Sequence, residues 1–228
     1  VVPLIYETKN VKVKKLFEFN KNSYLIKIKF EVLNKSDKVI KPSAYYQFVH
    51  DGLSSQGSAM MPTFTGPAFY TEKDKFDKLD FSDVDKEPFS KITNDGWIGI
   101  IQRYFAASWI LPGEGAREFY TKKIAEDIYS VGVITKLSDV LPGETITFET
   151  KLFAGPQAKE SLNKAAPGMN YAVDYGILHF IAAPLFSVLT GIHKMVSNWG
   201  VSIILLTVLI KLLFYPLSNA SYRSMGQM

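Results

Sequence analysis

The chain has no cysteine, which excludes disulfides, thiolate nucleophiles and cysteine-ligated zinc. Histidine is scarce as well: His50, His179 and His193 are the only three. The last two lie in a stretch without a carboxylate or a ligand-like spacing, so no metal site is assigned. There is no P-loop and no G-x-G-x-x-G, and Gly52, Gly57 and Gly66 do not follow a strand-to-helix phosphate pattern. His50-Asp51 lies close to Ser54 and Ser55, the residue types of a nucleophile and its base. Nucleophilic catalysis also needs a geometry that adjacency does not supply, and a turn accounts for the same residues. No catalytic residue and no cofactor are assigned.

Negative charge is missing from the last quarter of the chain. All 22 acidic residues lie at or before Asp174, and residues 175–228 hold only Lys194, Lys211 and Arg223 as charged groups. The net charge of the 228 residues is +4, without the clustered basic footprint that nucleic-acid binding needs, so no nucleic acid is expected as a partner. At 47% apolar and 21% charged residues, the chain can bury a core.

Helix signals are also few before residue 156, and alternation dominates there. Tyr24, Ile26, Ile28, Phe30 and Val32 fall on one side of a predicted strand, with Lys27, Lys29 and Glu31 on the other. Ile146, Phe148 and Leu152 repeat the pattern, which Thr150 weakens. Leu-Pro-Gly-Glu occurs at Leu111–Glu114 and again at Leu141–Glu144, and Pro-Gly suits the centre of a type II turn. The segment Glu72 to Asp95 carries 8 acids and 5 lysines, the composition of a solvated connection or sheet edge. Lys9, Lys12, Lys14 and Lys15 fit either the polar face of an edge strand or a phosphate contact. Pro156 to Ala166 predicts a short closing helix stopped by Pro167-Gly168. The fold class expected is mainly β: a sandwich, then the short helix, then two apolar segments.

The first apolar segment, Tyr175 to Met195, is interrupted by Pro184 and Gly191. It reads as an amphipathic helix in a membrane interface, with Phe180, Phe186 and Lys194 at the boundary, or as a buried core helix. The second, Trp199 to Leu217, predicts a transmembrane helix. About 19 residues at 1.5 Å each span roughly 28 Å, close to a hydrocarbon core. Trp199 and Tyr215 supply an aromatic near each end, and Arg223 beyond it places the C-terminal end in the cytoplasm by the positive-inside rule.

Lys211 interrupts that span. A lysine at a helix centre costs about 2.5–3.5 kcal/mol on insertion scales. Thr207, Lys211, Tyr215 and Ser218 share one face by helical spacing, which gives two readings: a polar strip lining a wet cavity, or a lysine that snorkels to the cytoplasmic interface about 9 Å away.

An ordered series of residues resembles one family, the YidC membrane-protein insertases of Gram-negative bacteria. It runs Gly96-Trp97-Ile98, Gln102, Tyr104-Phe105, Trp109-Ile110, Gly155-Pro156, Val173-Asp174-Tyr175-Gly176, Pro184-Leu185-Phe186, Asn198-Trp199-Gly200 and Tyr215-Pro216-Leu217. The resemblance implies a periplasmic β-super-sandwich over 1–168, an interfacial helix within 169–197, the second transmembrane helix of the full protein over 198–218, and the start of a cytoplasmic region at 219–228. It places Lys211 where relatives carry the arginine of a hydrophilic groove, so a planar bidentate fork is replaced by a point charge. It further implies an inner-membrane insertase and chaperone, with nascent inner-membrane proteins, the secretion channel with its accessory subunits, and membrane lipids as partners. The chain is then a fragment lacking the first transmembrane helix and the rest of the groove.

A second function remains open: a membrane-tethered carbohydrate-binding or mutarotase-like sandwich, since the family's sandwich is similar to mutarotase folds. That reading requires a cleft that holds His50 together with a carboxylate.

Overall fold

A computed structural model describes residues 1–52, 64–173 and 179–225, with side chains described for all of these except 179, 217, 218 and 220–225. The chain divides into two units, Val1–Val173 and Asp174–Met228.

In the first unit the strands run in chain order as β1 (Val2–Glu7), β2 (Val11–Phe19), β3 (Leu25–Asn34), β4 (Ser43–Asp51), β5 (Gly66–Thr71) and β6 (Lys75–Lys78). Helix α1 (Phe81–Lys86) follows, and then β7 (Phe89–Thr93), β8 (Trp97–Ile101), β9 (Phe105–Ile110), β10 (Arg117–Ala125), β11 (Ile128–Lys136), β12 (Thr145–Pro156) and α2 (Lys159–Ala165). A 3-10 turn, Met169–Ala172, ends the unit.

Eight strands form one antiparallel sheet in the order β1-β2-β3-β12-β9-β8-β5-β6, and four form another in the order β4-β11-β10-β7. The alternation expected around Ile28 sets the register. Ile26, Ile28, Phe30 and Val32 of β3 stand opposite Leu152, Thr150, Phe148 and Ile146 of β12, giving one continuous face. Ile28 and Val32 are buried, and Ile26, Phe30, Phe148 and Leu152 pack on the core between the sheets. Thr150 fits because its hydroxyl, fully buried, donates to the Ile110 carbonyl at 3.2 Å.

The opposite face of β5, β8, β9 and β12 carries a second core closed by α2 and the 3-10 turn, with Trp97, Phe153, Leu162 and Met169 nearly inaccessible. The Trp97 indole donates to the Pro167 carbonyl at 2.9 Å and so docks the chain just beyond α2. Gly96, at φ +89°, immediately precedes β8 against the Tyr70 carbonyl, where a Cβ has no room.

Several expectations are adjusted. The closing helix starts at Lys159, because Pro156 ends β12. The lysine run belongs to the hairpin of β1 and β2, and the edge strand there is β1. Lys12 pairs with Glu7 at 3.1 Å and Lys14 with Glu31 at 3.6 Å. The acid- and lysine-rich segment supplies an edge strand to each sheet, β6 and β7, and between them α1, which no strong local signal announces. Gly113 and Gly143, each at positive φ, occupy their turns as expected, and Glu144 N–H donates to the Leu141 carbonyl at 3.0 Å. The first compact unit runs to Val173, with Met169 and Ala172 buried in its core.

The second unit consists of α3 (His179–Val196) and α4 (Trp199–Met225), which pack against each other. Pro184 and Gly191 do not interrupt α3, and α4 continues through Pro216 and past residue 218 to Met225. Ser197, at φ 55°, makes the bend, and its N–H donates to the His193 carbonyl at 2.7 Å. Asn198 caps α4 by accepting the Val201 N–H at 3.2 Å.

Candidate functional site

Helix α4 takes its character from a mostly aliphatic run in which Lys211 is the one charged residue before Pro216. Trp199–Pro216 is long and apolar enough to cross a membrane, and only 6% of that span is buried in the protein. A core helix of a soluble protein is mostly covered, and the exposed aliphatic side chains of α4 make it a candidate membrane span.

Thr207, Lys211 and Tyr215 follow one another at intervals of four on α4 and are all exposed. The Thr207 hydroxyl donates back to the Ile203 carbonyl at 2.8 Å, leaving its oxygen able to accept a further bond. Among the described residues Lys211 has no ion pair, so its three donors are available to a ligand, water or a lipid headgroup. Ser218 lies on α4, with its side chain outside the described residues. One helix presents this strip and cannot enclose it.

The residues expected at a membrane interface lie on α3 and at the start of α4. Phe180 is 71% exposed, Phe186 and Trp199 each 48%, and Lys194 is also exposed. The half-buried stripe of α3 carries Ala182, Leu189 and His193, and its aliphatic residues Ile181, Leu185 and Val188 are exposed. A residue given no role by the sequence is the most constrained here. His193 stacks on Trp199 with ring centroids 3.8 Å apart, and its Nδ1 is buried without a hydrogen-bond partner among the described residues. The two are joined across a helix break, where no periodicity rule links them.

In the sandwich, His50 is at the end of β4 and lines a cleft of about 440 Å³ with Phe48, Gln102, Phe105 and Pro156. Its Nε2 lies 2.9 Å from the Gln102 amide nitrogen, and its ring stacks over Phe81. The Asp51 carboxylate is 3.3 Å from Nδ1, on the strand's exposed end, and none of the described residues lining the cleft carries a carboxylate. His50 thus has a carboxylate beside its ring, one that stands outside the cleft's lining. Ser54 and Ser55 lie outside the described residues. Among the described residues no three His, Asp or Glu side chains gather as a metal site.

The model of the YidC periplasmic domain matches residues 1–188, and that of the 60Kd inner membrane protein matches residues 191–228. The chain belongs to the YidC family. A relative from Methylobacillus flagellatus named membrane protein insertase YidC is 54% identical over 96% of this chain, and one of the same name from Aromatoleum aromaticum is 45% identical over 97%. The chain spans 40% and 41% of the lengths of those two YidC proteins. The sandwich is similar in fold to the galactosidase domain of the alpha-galactosidase-sucrose kinase AgaSK, with a TM-score of 0.50, 11% identity, and coverage of 71% of this chain and 24% of that one. A GH36 alpha-galactosidase from Geobacillus stearothermophilus gives the same TM-score at 8% identity, over 70% of this chain and 24% of its own. At such identities the likeness concerns architecture alone.

Proposed function

We propose that the parent protein is a membrane protein insertase and chaperone of the bacterial inner membrane, working without a cofactor. The observation that carries this reading is an apolar helix of membrane-spanning length with one ammonium on an exposed polar face, in a chain whose relatives are named insertases. Residues 1–197 lie in the periplasm in this reading, and the C-terminal end lies in the cytoplasm.

Thr207, Lys211, Tyr215 and Ser218 form one wall of a hydrophilic groove completed by other helices of the parent protein. A wet groove lowers the cost of drawing a polar or acidic segment of a nascent inner-membrane protein into the bilayer, while the client's apolar segment passes into lipid. Lys211 attracts the acidic segment. It does so as a point charge, without the bidentate geometry of an arginine. No bond is made or broken. Phe180, Phe186, Lys194 and Trp199 seat α3 in the lipid headgroup layer, and the secretion channel with its accessory subunits is a further partner.

The test uses the full-length protein in vesicles. Lys211→Ala is expected to reduce insertion of clients with acidic translocated tails and to spare clients without them. Equal insertion of both classes by the variant and the wild type rejects the role.

A further inference from the structure

The outer faces of the two sheets use their charges differently. On the eight-stranded sheet, lysines and glutamates neutralise one another: Lys14 with Glu31 at 3.6 Å, Lys27 with Glu149 at 2.8 Å and Lys29 with Glu31 at 3.5 Å. The four-stranded sheet buries Tyr46, Val133 and Phe119 on its inner side, so their neighbours Tyr45, Ile134 and Glu118 face outward. Register sets these three in one cross-strand row with Ile92. Tyr45 is 67% and Ile92 79% exposed, an apolar surface where the other sheet carries a charge lattice.

The next row is organised by a missing side chain. Gly132 stands between Tyr120 of β10 and Gln47 of β4, and a Cβ on it would lie 2.9 Å from the Tyr120 hydroxyl. Tyr120 therefore reaches across β11, and its hydroxyl donates to the Gln47 side-chain oxygen at 2.9 Å. Ser130 donates to the same oxygen at 3.0 Å, so the Gln47 amide is oriented with its NH2 as the group left to donate. A hollow of about 470 Å³ results, with Glu118 on one side of Tyr120 and Lys122 on the other. Glu118 accepts the Ser90 hydroxyl at 2.7 Å, and the Lys122 ammonium lies 5.8 Å from the centre of the Tyr120 ring. Among the described residues neither charge has an ion-pair partner. Four positions apart on one strand, they stand roughly 14 Å from each other.

We propose that this hollow binds an extended polypeptide segment of a client, one that carries a basic, an apolar and an acidic side chain at alternate positions. An extended segment projects every second side chain to the same side, so its first and fifth residues also stand roughly 14 Å apart. The base meets Glu118, the apolar side chain enters the hollow beside Tyr120, and the acid meets Lys122. The Gln47 NH2 is left for a backbone carbonyl of the segment. A neutral ligand would leave both charges unanswered. The source of the segment rests on the insertase reading, because a newly translocated client is still unfolded and displays such side chains. The binding chemistry itself does not.

Fluorescence anisotropy on the full-length protein in detergent tests it, with the labelled peptide Ser-Lys-Ser-Leu-Ser-Glu-Ser and its counterparts bearing two lysines or two glutamates. The mixed peptide is expected to bind about fivefold more tightly than either counterpart, with the gap narrowing as salt is added. Glu118→Lys should transfer the preference to the two-glutamate peptide, and Lys122→Glu to the two-lysine peptide, a switch that loss of folding cannot produce. Equal affinity for all three peptides, no binding, or variants without the switch overturns the proposal. So does a mass that doubles with concentration and blocks the peptide, which identifies a second copy as the occupant. A photoreactive benzophenone side chain at position 92 should crosslink to the translocated segment of a client built with this pattern, and much less when serine replaces the leucine. Peptide binding without that crosslink overturns the client as occupant, whereas loss of insertion in Lys211→Ala is a separate result that bears on the insertase reading alone.

Discussion

The imidazole of His193 lies flat on the indole of Trp199, with centroids 3.8 Å apart and planes 10° from parallel. This stack spans the bend at Ser197 and is one of the contacts that fix α3 relative to α4. An aromatic pair of this kind is worth about 0.5–1.5 kcal/mol beyond its area. Trp199→Ala is therefore expected to broaden the distribution of distances between spin labels on α3 and α4 measured by pulsed electron resonance, and Trp199→Phe to preserve most of the order. An unchanged, narrow distribution in the alanine variant would show that the bend is held by Ser197 and the Asn198 cap alone.

Arg117 holds together the turns at one end of the sandwich. Its side chain is buried, and its guanidinium donates to the carbonyls of Gly96, Leu111, Gly113 and Gly115 at 2.7 to 3.4 Å. Burial lowers its pKa and Asp95 works against that, yet an arginine stays charged at any ordinary pH. Removing it leaves the carbonyls of half-buried Gly96 and Leu111 without their donor and frees those of the exposed Gly113 and Gly115. Arg117→Ala should cost roughly 3 kcal/mol or more in denaturant unfolding of the domain, and Arg117→Lys should recover only part, because one ammonium cannot reach all four acceptors. A loss under about 1 kcal/mol for the alanine variant would contradict this role.

The strands were readable where the pattern is one of solvent against core. Ile28, Phe30 and Val32 alternate with charged residues because one face of β3 meets the other sheet, and the Pro-Gly turns are legible because only glycine takes the required φ cheaply. The span was legible for the opposite reason, since a lipid-facing helix needs no alternation. Helix α1 was not readable: six residues held by Phe81 and Val84 against Tyr129, which lies more than forty positions away, leave no local periodicity. The contact between His193 and Trp199 and the carbonyl cluster around Arg117 were equally silent, because both depend on how turns bring separate segments together. For Lys211 the sequence conveys depth and helix face but not what the face meets.

Asp85 accepts hydrogen bonds from the Tyr129 hydroxyl at 2.7 Å and the Lys123 ammonium at 3.0 Å. The Tyr129 bond, then the Lys123 bond, hold its carboxyl below the usual value of 3.8, while the bond to Asp85, then burial, raise Tyr129 above 10.0 against an opposing effect of Lys123. A carboxylate with a depressed folded pKa contributes stability that is complete above its unfolded pKa and is lost as pH falls through the folded one. The tyrosine, raised on folding, contributes below its ordinary pKa and loses that contribution as pH rises through the raised one. Unfolding midpoints should thus fall on the acid side below about pH 4, and Asp85→Asn should flatten that limb. A parallel acid limb in the variant would assign it to other carboxylates, such as Asp74, whose pKa is lowered by Lys91 and Thr71.

Depth and direction can be separated at Lys211. An anchor that snorkels depends on how far the charge lies from the interface, since a long side chain reaches the headgroups from any side of the helix. A groove wall depends on which side the charge faces. Moving the lysine one position, as in the double substitution Lys211→Leu with Leu212→Lys, changes its depth by about 1.5 Å but turns it roughly 100° around α4. That turn takes the charge off the line of Thr207 and Tyr215 while keeping composition and hydropathy constant. If Lys211 faces a groove, the swapped protein should insert acidic-tailed clients about tenfold less efficiently, equivalent to ~1.4 kcal/mol of lost attraction, although it reaches the membrane in normal amounts. If the ammonium is only an anchor, the swapped protein and the wild type should insert these clients at the same rate, and alkylation of a cysteine at 211 by a water-soluble reagent should be no faster than at 212.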